Sequence, residues 1–426
     1  MPALLKTTQI QEPSSATVNL SLSTSGGVTV GQNLTVTGTS TLSGGLTITG
    51  NETASSFIPS SAVVPTNGLY LPNTNSVGLA TNSTAALTID SSQNTTSAGT
   101  VVMSSAYTMR NKMINGAMGI SQRGSSFSNP ANLSLTLDRW KFWGDGSGGT
   151  LTISQTALSA GELPPFSYYM RVNQSAGATA RTYFRINQAI EGLEQFSAQT
   201  ITVSFYAKCA SGTVASSLRC DRYFGTGGSP SAADNMSFSS GGTPTITTTW
   251  TRFTAISTVT SISGKTLGTN NDSYLLVGID LPTSGTFDVY LTGFQVEYGN
   301  IATPFELRQI QQELAMCQRY YYRMNATGVY SRFGIAGVGS ASSTTAQANI
   351  VNPVPMRVAP TSIDYLNVIC YDGSTISSAT ITLDTTSSSQ YVVNVPITTS
   401  GMTAYRPIQL CANNTTNSYF GASAEL

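Results

Sequence analysis

Apolar and polar positions alternate strictly near the start of the chain. Residues 27–50, GVTVGQNLTVTGTSTLSGGLTITG, divide into four sixes. Thr29, Thr35, Thr41 and Thr47 take the third place, and Val30, Val36, Leu42 and Ile48 the fourth. The sixth is Gln32, then Gly38, Gly44 and Gly50. Alternation of this kind predicts strands with one buried face. Hexapeptide repeats can wind a parallel β-helix, but so few hexads cannot stack enough coils in one chain. The pattern therefore predicts that other chains supply the missing walls. With three chains round one axis, Val30, Val36, Leu42 and Ile48 stack in layers on that axis. Val28, Leu34 and Leu46 then pack between neighbours. Closure would also remove the free strand edges of a chargeless segment. The plainer alternative is an edge hairpin or a linker.

Further along, short strands are predicted at 68–71, 76–80 and 85–89, and SSQNTTSAGT (91–100) reads as a linker. From about Tyr107 the alternation recurs at 150–154, 167–173, 181–188, 200–208, 216–224, 250–258, 273–281 and 286–297. Strands at this spacing, without long helical periods, predict an antiparallel β-sandwich over 107–306. One helix is signalled by TPFELRQIQQELAMCQRYYYR, with Thr303 as N-cap, Pro304 at the first position and Glu306 completing a capping box. Leu307, Ile310, Leu314, Cys317 and Tyr321 recur at alternating spacings of three and four. That seam suits either a three-helix contact through Ile310 and Leu314 or packing on the chain's own sandwich. The fold class is mainly β. Its parts are an attachment segment at 1–25, a β-stalk with a small β region at 26–106 and the sandwich at 107–306. A connecting helix at 307–324 and a β-rich tip at 325–426 complete it.

Composition narrows the partners. Asp, Glu, Lys and Arg make up 9% of 426 residues, and the net charge is zero. No basic stripe exists to neutralise phosphates, which argues against nucleic acid. From 13 to 89 the only charge is Glu52, and the first hundred residues hold only Phe57 and Tyr70 as aromatics. Such a segment has too little apolar bulk to fold alone. The N-terminus does not read as a signal peptide, and no apolar run is long enough to span a membrane. Assembly in a cytoplasm is expected. Five cysteines, at 209, 220, 317, 370 and 411, show no CxxC spacing. Cys209 and Cys220 could meet across a hairpin, and free buried thiols are the preferred reading. No metal and no cofactor is expected.

Candidate chemistry is sparse. There is no histidine, so a Ser/His/Asp triad cannot form. Carboxylates that could flank a glycosidic bond are scattered, among them Asp138, Asp145, Glu162, Asp221, Asp280 and Glu306. Glu306 is explained by the helix cap, and Asp138 beside Arg139 reads as a structural ion pair or turn anchor. No catalytic residue is assigned. Sugar binding needs exposed rings with polar groups at their edges. In LTLDRWKFWG, Trp140 and Phe142 share a core-facing side with Asp138, and Trp143 shares the other with Lys141 and Arg139. Trp143 and Lys141 are therefore candidate ligand residues, joined by Tyr365 and Tyr405 near turns of the last block. In SYYM (167–170) and RYYY (319–322), one neighbouring ring is expected in the core and one at a surface or interface.

Four segments read together give a resemblance. NKMINGAMGISQRG (111–124), LDRW (137–140), TGFQVEYGNIATPFELR (292–308) and ELAMCQRYYYR (313–323) are similar to a domain of tail fibre proteins of tailed bacteriophages. The repeat and NGLYLPNTNSVGLATNSTAALTID resemble stalk segments of such fibres, notably in cyanophages, and the final SAEL resembles related tips. The resemblance implies a homotrimeric virion appendage, assembled in the host cytoplasm. Its N-terminus would hold other tail proteins. Its distal domains would face the host, with a surface polysaccharide or lipopolysaccharide as the expected partner, and its middle domain would be a carbohydrate-binding-like jelly roll. It carries no ligand motif across to particular residues. The alternatives are a structural virion protein without a receptor, such as a capsid fibre or tail connector, and a polysaccharide depolymerase tailspike.

Overall fold

The computed structural model describes residues 63–98, 109–146, 149–177, 181–336 and 342–426. The hexads, with Val30, Val36, Leu42 and Ile48, and the segment 1–25 lie outside them. The chain divides into two compact units, 1–102 and 103–426.

In the first unit, Gly68–Tyr70, Val77–Thr81, Thr84–Ile89 and Thr95–Ser97 form a sequential antiparallel sheet. The three expected strands are present. The stretch taken as a linker carries a fourth, because Thr95–Ser97 pairs with Leu87–Ile89. Asp90 makes that turn by accepting the N–H groups of Ser92 and Asn94. Tyr70 is buried over Gly78, where any Cβ would lie 2.4 Å from its ring. Leu69 and Leu79 sit opposite each other, 53% and 45% exposed.

The second unit begins with a sandwich. Its larger sheet runs, in spatial order, Phe238–Ser240, Thr251–Thr258, Thr200–Cys209, Phe287–Tyr298, Tyr168–Ala176, Thr150–Ala157 and Ser126–Ser128. The smaller runs Asp234–Asn235, Ser217–Tyr223, Tyr274–Asp280, Phe184–Glu191 and Lys141–Gly144. Every expected sandwich strand is present. Inward positions of both sheets, among them Val203, Phe205, Val289, Leu291, Ile186, Val277 and Ile279, are fully buried. Trp140 and Phe142 belong to this core as expected, with Trp140 edge-on to Phe294. All five cysteines are free and buried, Cys209 and Cys220 included.

The helix is shorter than its pattern. It spans Ile310–Gln318 with Gln309 as N-cap and no side-chain cap. The expected box is dismantled by tertiary partners. Thr303 donates its hydroxyl to Glu297 at 2.6 Å. Glu306 accepts the backbone N–H groups of Met109 and Asn111, both at 2.7 Å. Carboxylate bonds of this kind outweigh a neutral cap. Leu307 precedes the helix, and Tyr321 lies beyond it on a strand. Ile310 is exposed, Leu314 half-buried and Cys317 buried.

The tip has its own core. Its sheets are Tyr321–Asn325, Tyr419–Ser423 and Ser362–Leu366; Arg332–Ala336, Ile408–Ala412, Val368–Tyr371 and Ile376–Ser378; and Thr345–Val351, Val392–Thr398 and Thr380–Ile381. Tyr322, Phe420, Val395 and Leu410 lie at its centre. Gly421 is required in the middle strand, since a Cβ there would lie 2.2 Å from Asp364.

Sandwich and tip are joined by stacked arginines. The Arg139 and Arg123 guanidinium groups lie 3.5 Å over the rings of Tyr320 and Tyr321. Both pair with Glu425 of the terminal SAEL. Arg323 stacks 3.8 Å over Tyr419 and pairs with Asp364. Desolvated guanidinium on an aromatic face is among the stronger side-chain contacts. The motifs SQRG, LDRW, RYYYR and SAEL therefore meet at one joint. Tyr320, Tyr321 and Tyr322 are all buried, Tyr322 in the tip core and Tyr320 and Tyr321 at this joint, so neighbouring rings divide between core and interface. The expected split fails at 168–169, where Tyr168 is exposed and Tyr169 half-buried, neither in the core. Asp138 is anchored as a structural group, by Gln122 and Arg123 rather than by its neighbour Arg139.

Candidate functional site

The side of the smaller sheet away from the sandwich core gathers half-buried rings and planar polar groups. Register decides its rows. Trp143 pairs with Arg185, and Arg185 with Asp280. Lys141 pairs with Asn187, Asn187 with Gly278, and Gly278 with Arg219. Glu191, Tyr274 and Tyr223 form a further row. Alternate residues of four strands thus share one side of the sheet, with Arg185, Asn187 and Asp221 buried.

Rings occupy both ends. Trp143 meets Tyr183 edge-on at 6.0 Å, with the Arg185 guanidinium 5.1 Å over its ring. Tyr223 and Tyr274 stack face to face at 4.6 Å. Burial, reinforced by neighbouring acidic and phenolic groups, raises both phenol pKa values, so both hydroxyls stay protonated donors. Between the rings lie planar polar groups. Arg185 donates to Asp280 at 2.6 Å and to Asp221 at 3.4 Å. Arg219 donates to Asp221 at 3.0 Å. Burial raises the Asp221 carboxyl against the opposing pull of Arg219 and Arg185. Asn187 is 1% exposed, and its amide nitrogen has no partner among the described residues. An unpaired buried donor is costly unless something supplies an acceptor.

Trp143 and Lys141, two of the residues singled out in the sequence, lie on this face. Lys141 is half-buried and donates to the Leu426 carbonyl at 2.7 Å, and burial lowers its pKa. Tyr365 and Tyr405 are elsewhere. Tyr365 packs on the tip core and accepts the Ile381 N–H at 3.3 Å. Tyr405 is 81% exposed in a turn at φ +64°. Sequence reasoning missed Arg185, Asn187, Arg219, Tyr223 and Tyr274. The available signal was polar residues at alternate places in RTYFRINQAI, SLRCDRY and SYLLVGID.

The third tryptophan, Trp250, lies just before the Thr251–Thr258 strand of the larger sheet. It meets Tyr169 at 5.8 Å and Tyr290 at 6.4 Å, beneath Lys208. Glu162 ties that cluster, accepting from Lys208 at 2.6 Å and from the indole at 2.9 Å. Those two hydrogen bonds hold the Glu162 carboxyl down at about 2. Among the described residues no group of His, Cys, Asp and Glu is arranged to hold a metal, and no helix is long and apolar enough to cross a membrane.

No family model matches the chain, and no curated protein matches it. Solved structures do. A xylan-binding domain from Paenibacillus barcinonensis is 13% identical, covering 42% of this chain and 94% of its own, with a TM-score of 0.24. A family 11 carbohydrate-binding module from Clostridium thermocellum is 10% identical, covering 42% and 99%, with a TM-score of 0.26. Tailspike protein 4 of bacteriophage CBA120 is 14% identical, covering 45% of this chain and 22% of its own, with a TM-score of 0.27. These are likenesses of fold alone, and at such scores they carry no weight for ligand or activity.

Proposed function

We propose that the protein binds glycans through the outer face of the smaller sheet, without turning them over. The observation that carries this reading is the row Trp143–Arg185–Asp280 beside the stacked Tyr223–Tyr274 pair. Rings suit the C–H faces of sugars, and fixed planar polar groups suit their hydroxyls. We extend the reading to the role implied by the sequence resemblance. The protein is a homotrimeric tail fibre component of a phage virion that attaches it to a host surface polysaccharide or lipopolysaccharide. The chargeless hexads and the exposed Leu69–Leu79 pair support association of copies. Weak sites on one shaft would gain avidity from effective concentration. The test is binding of the full-length chain to an array of surface polysaccharides, with and without Trp143→Ala. Loss of about tenfold in affinity is expected for the variant. Unchanged binding by a folded variant would remove this face from the reading, and release of reducing ends would replace binding by depolymerisation.

A further inference from the structure

A cavity of about 530 Å³ opens at one end of the sandwich, beside the 129–132 loop and the end of the Lys141–Gly144 strand. It lies within the roughly 300–1,000 Å³ range of small-molecule sites. Phe142 and Leu151, each 2% exposed, contribute its apolar lining. Phe142 and Trp143 alternate on their strand, so the cavity and the proposed glycan face lie on opposite sides of it.

Its polar lining holds three donor side chains with few protein partners and one carboxylate, Asp145. Asn129 is held through its side-chain oxygen, which accepts the Leu151 N–H at 2.8 Å. Asn132 accepts the Gly144 N–H at 3.2 Å in the same way. Both residues are exposed, so their amide nitrogens, which have no protein partner among the described residues, face solvent and are free to donate to a ligand. Arg181 lies 4.8 Å over the Phe184 ring and 5.7 Å over Phe142. Its one hydrogen bond is a long 3.4 Å contact to Gln174, and its Nε is buried without a partner. A guanidinium offers five donors. Desolvation pulls its pKa down from the ordinary arginine value. The remaining charged group, Asp145, is already committed. It accepts the N–H groups of Thr182 and Tyr183 at 2.8 and 3.1 Å, and the Thr182 hydroxyl.

We propose that this cavity binds an acidic sugar, with its carboxylate on Arg181 and its hydroxyls on the Asn129 and Asn132 amides. A planar guanidinium matches a carboxylate with two parallel bonds. The apolar lining suits the C–H face of the ring. A neutral sugar leaves the desolvated guanidinium with only the more distant Asp145 carboxylate to offset its charge, and makes no direct pair with it. The inference stands whether or not the sheet face binds glycan.

The test is calorimetric titration of the full-length protein with glucuronate, glucose, acetate and inorganic phosphate. Glucuronate is expected to bind at least about tenfold more tightly than the other three, and to weaken with added salt. Arg181→Gln should lower that affinity about tenfold, and Arg181→Lys by less. Asn132→Asp keeps an oxygen for Gly144 but sets a negative charge against the ligand, so it should also weaken binding. Equal binding of acetate or phosphate would make this a plain anion site and overturn the proposal. So would glucuronate binding no tighter than glucose, or wild-type affinity in a folded Arg181→Gln or Asn132→Asp protein.

Discussion

Asp138 shows how one side chain can depart from its apparent role. It sits beside Arg139 in sequence, yet Arg139 has φ +71° and turns its guanidinium to Tyr320 and Glu425. Asp138 is left 1% exposed, and burial raises its pKa from 3.8 to about 6 despite Arg123 and Gln122. A carboxyl with a raised folded pKa holds its proton better in the folded state. Its contribution is therefore full below pH 3.8 and lost as pH rises through about 6. A shift of that size corresponds to about 3 kcal/mol. Asp138→Asn should gain stability relative to wild type by up to that amount between pH 4 and pH 7, read as the difference of urea midpoints. A difference that does not vary with pH would show that the carboxyl titrates normally. The aromatic candidates divide in the same way: Trp143 was legible from alternation on its strand, whereas Tyr405 and Tyr365 were chosen from turn signals that do not reveal neighbours.

At the scale of elements, alternation placed the sandwich strands to within a few residues, because one buried face leaves a period of two in the sequence. The helix pattern was a weaker guide. Thr303, Pro304 and Glu306 match a capping box locally, but Glu306 holds the incoming chain at Met109 and Asn111 instead. Glu306→Ala should cost about 2 kcal/mol of global stability by stranding two backbone donors. Its helical circular dichroism should remain that of wild type, whereas a true cap residue would lose helix signal. The fourth strand of the small sheet was missed because Thr95–Ser97 has no apolar alternation and is recruited by Leu87–Ile89.

For the whole molecule, the decisive question is how many chains it takes. The purified protein should scatter light as three times 44.7 kDa. Deleting residues 1–56 should lower that mass if the hexads hold the assembly. A full-length monomer would sink the stalk reading. The sandwich and tip should also unfold together, since the Arg123, Arg139 and Glu425 joint ties them. Arg139→Ala should separate their transitions in calorimetry, and a single unchanged transition would show the joint to be dispensable.

By itself, the sequence determined the mainly β class, the positions of the main sandwich strands, the absence of histidine chemistry and the chargeless repeat, because these depend on local period and composition. Tertiary structure alone decided which residues meet. Arg185, Asp221 and Asp280 come from three strands far apart in sequence and are brought together by register. Glu425 reaches Arg123 and Arg139 only because the last strand lies in the middle of its sheet. Pairing between distant segments leaves no local mark on either partner, so the same alternate polar residues read as solvated until the sheet is assembled.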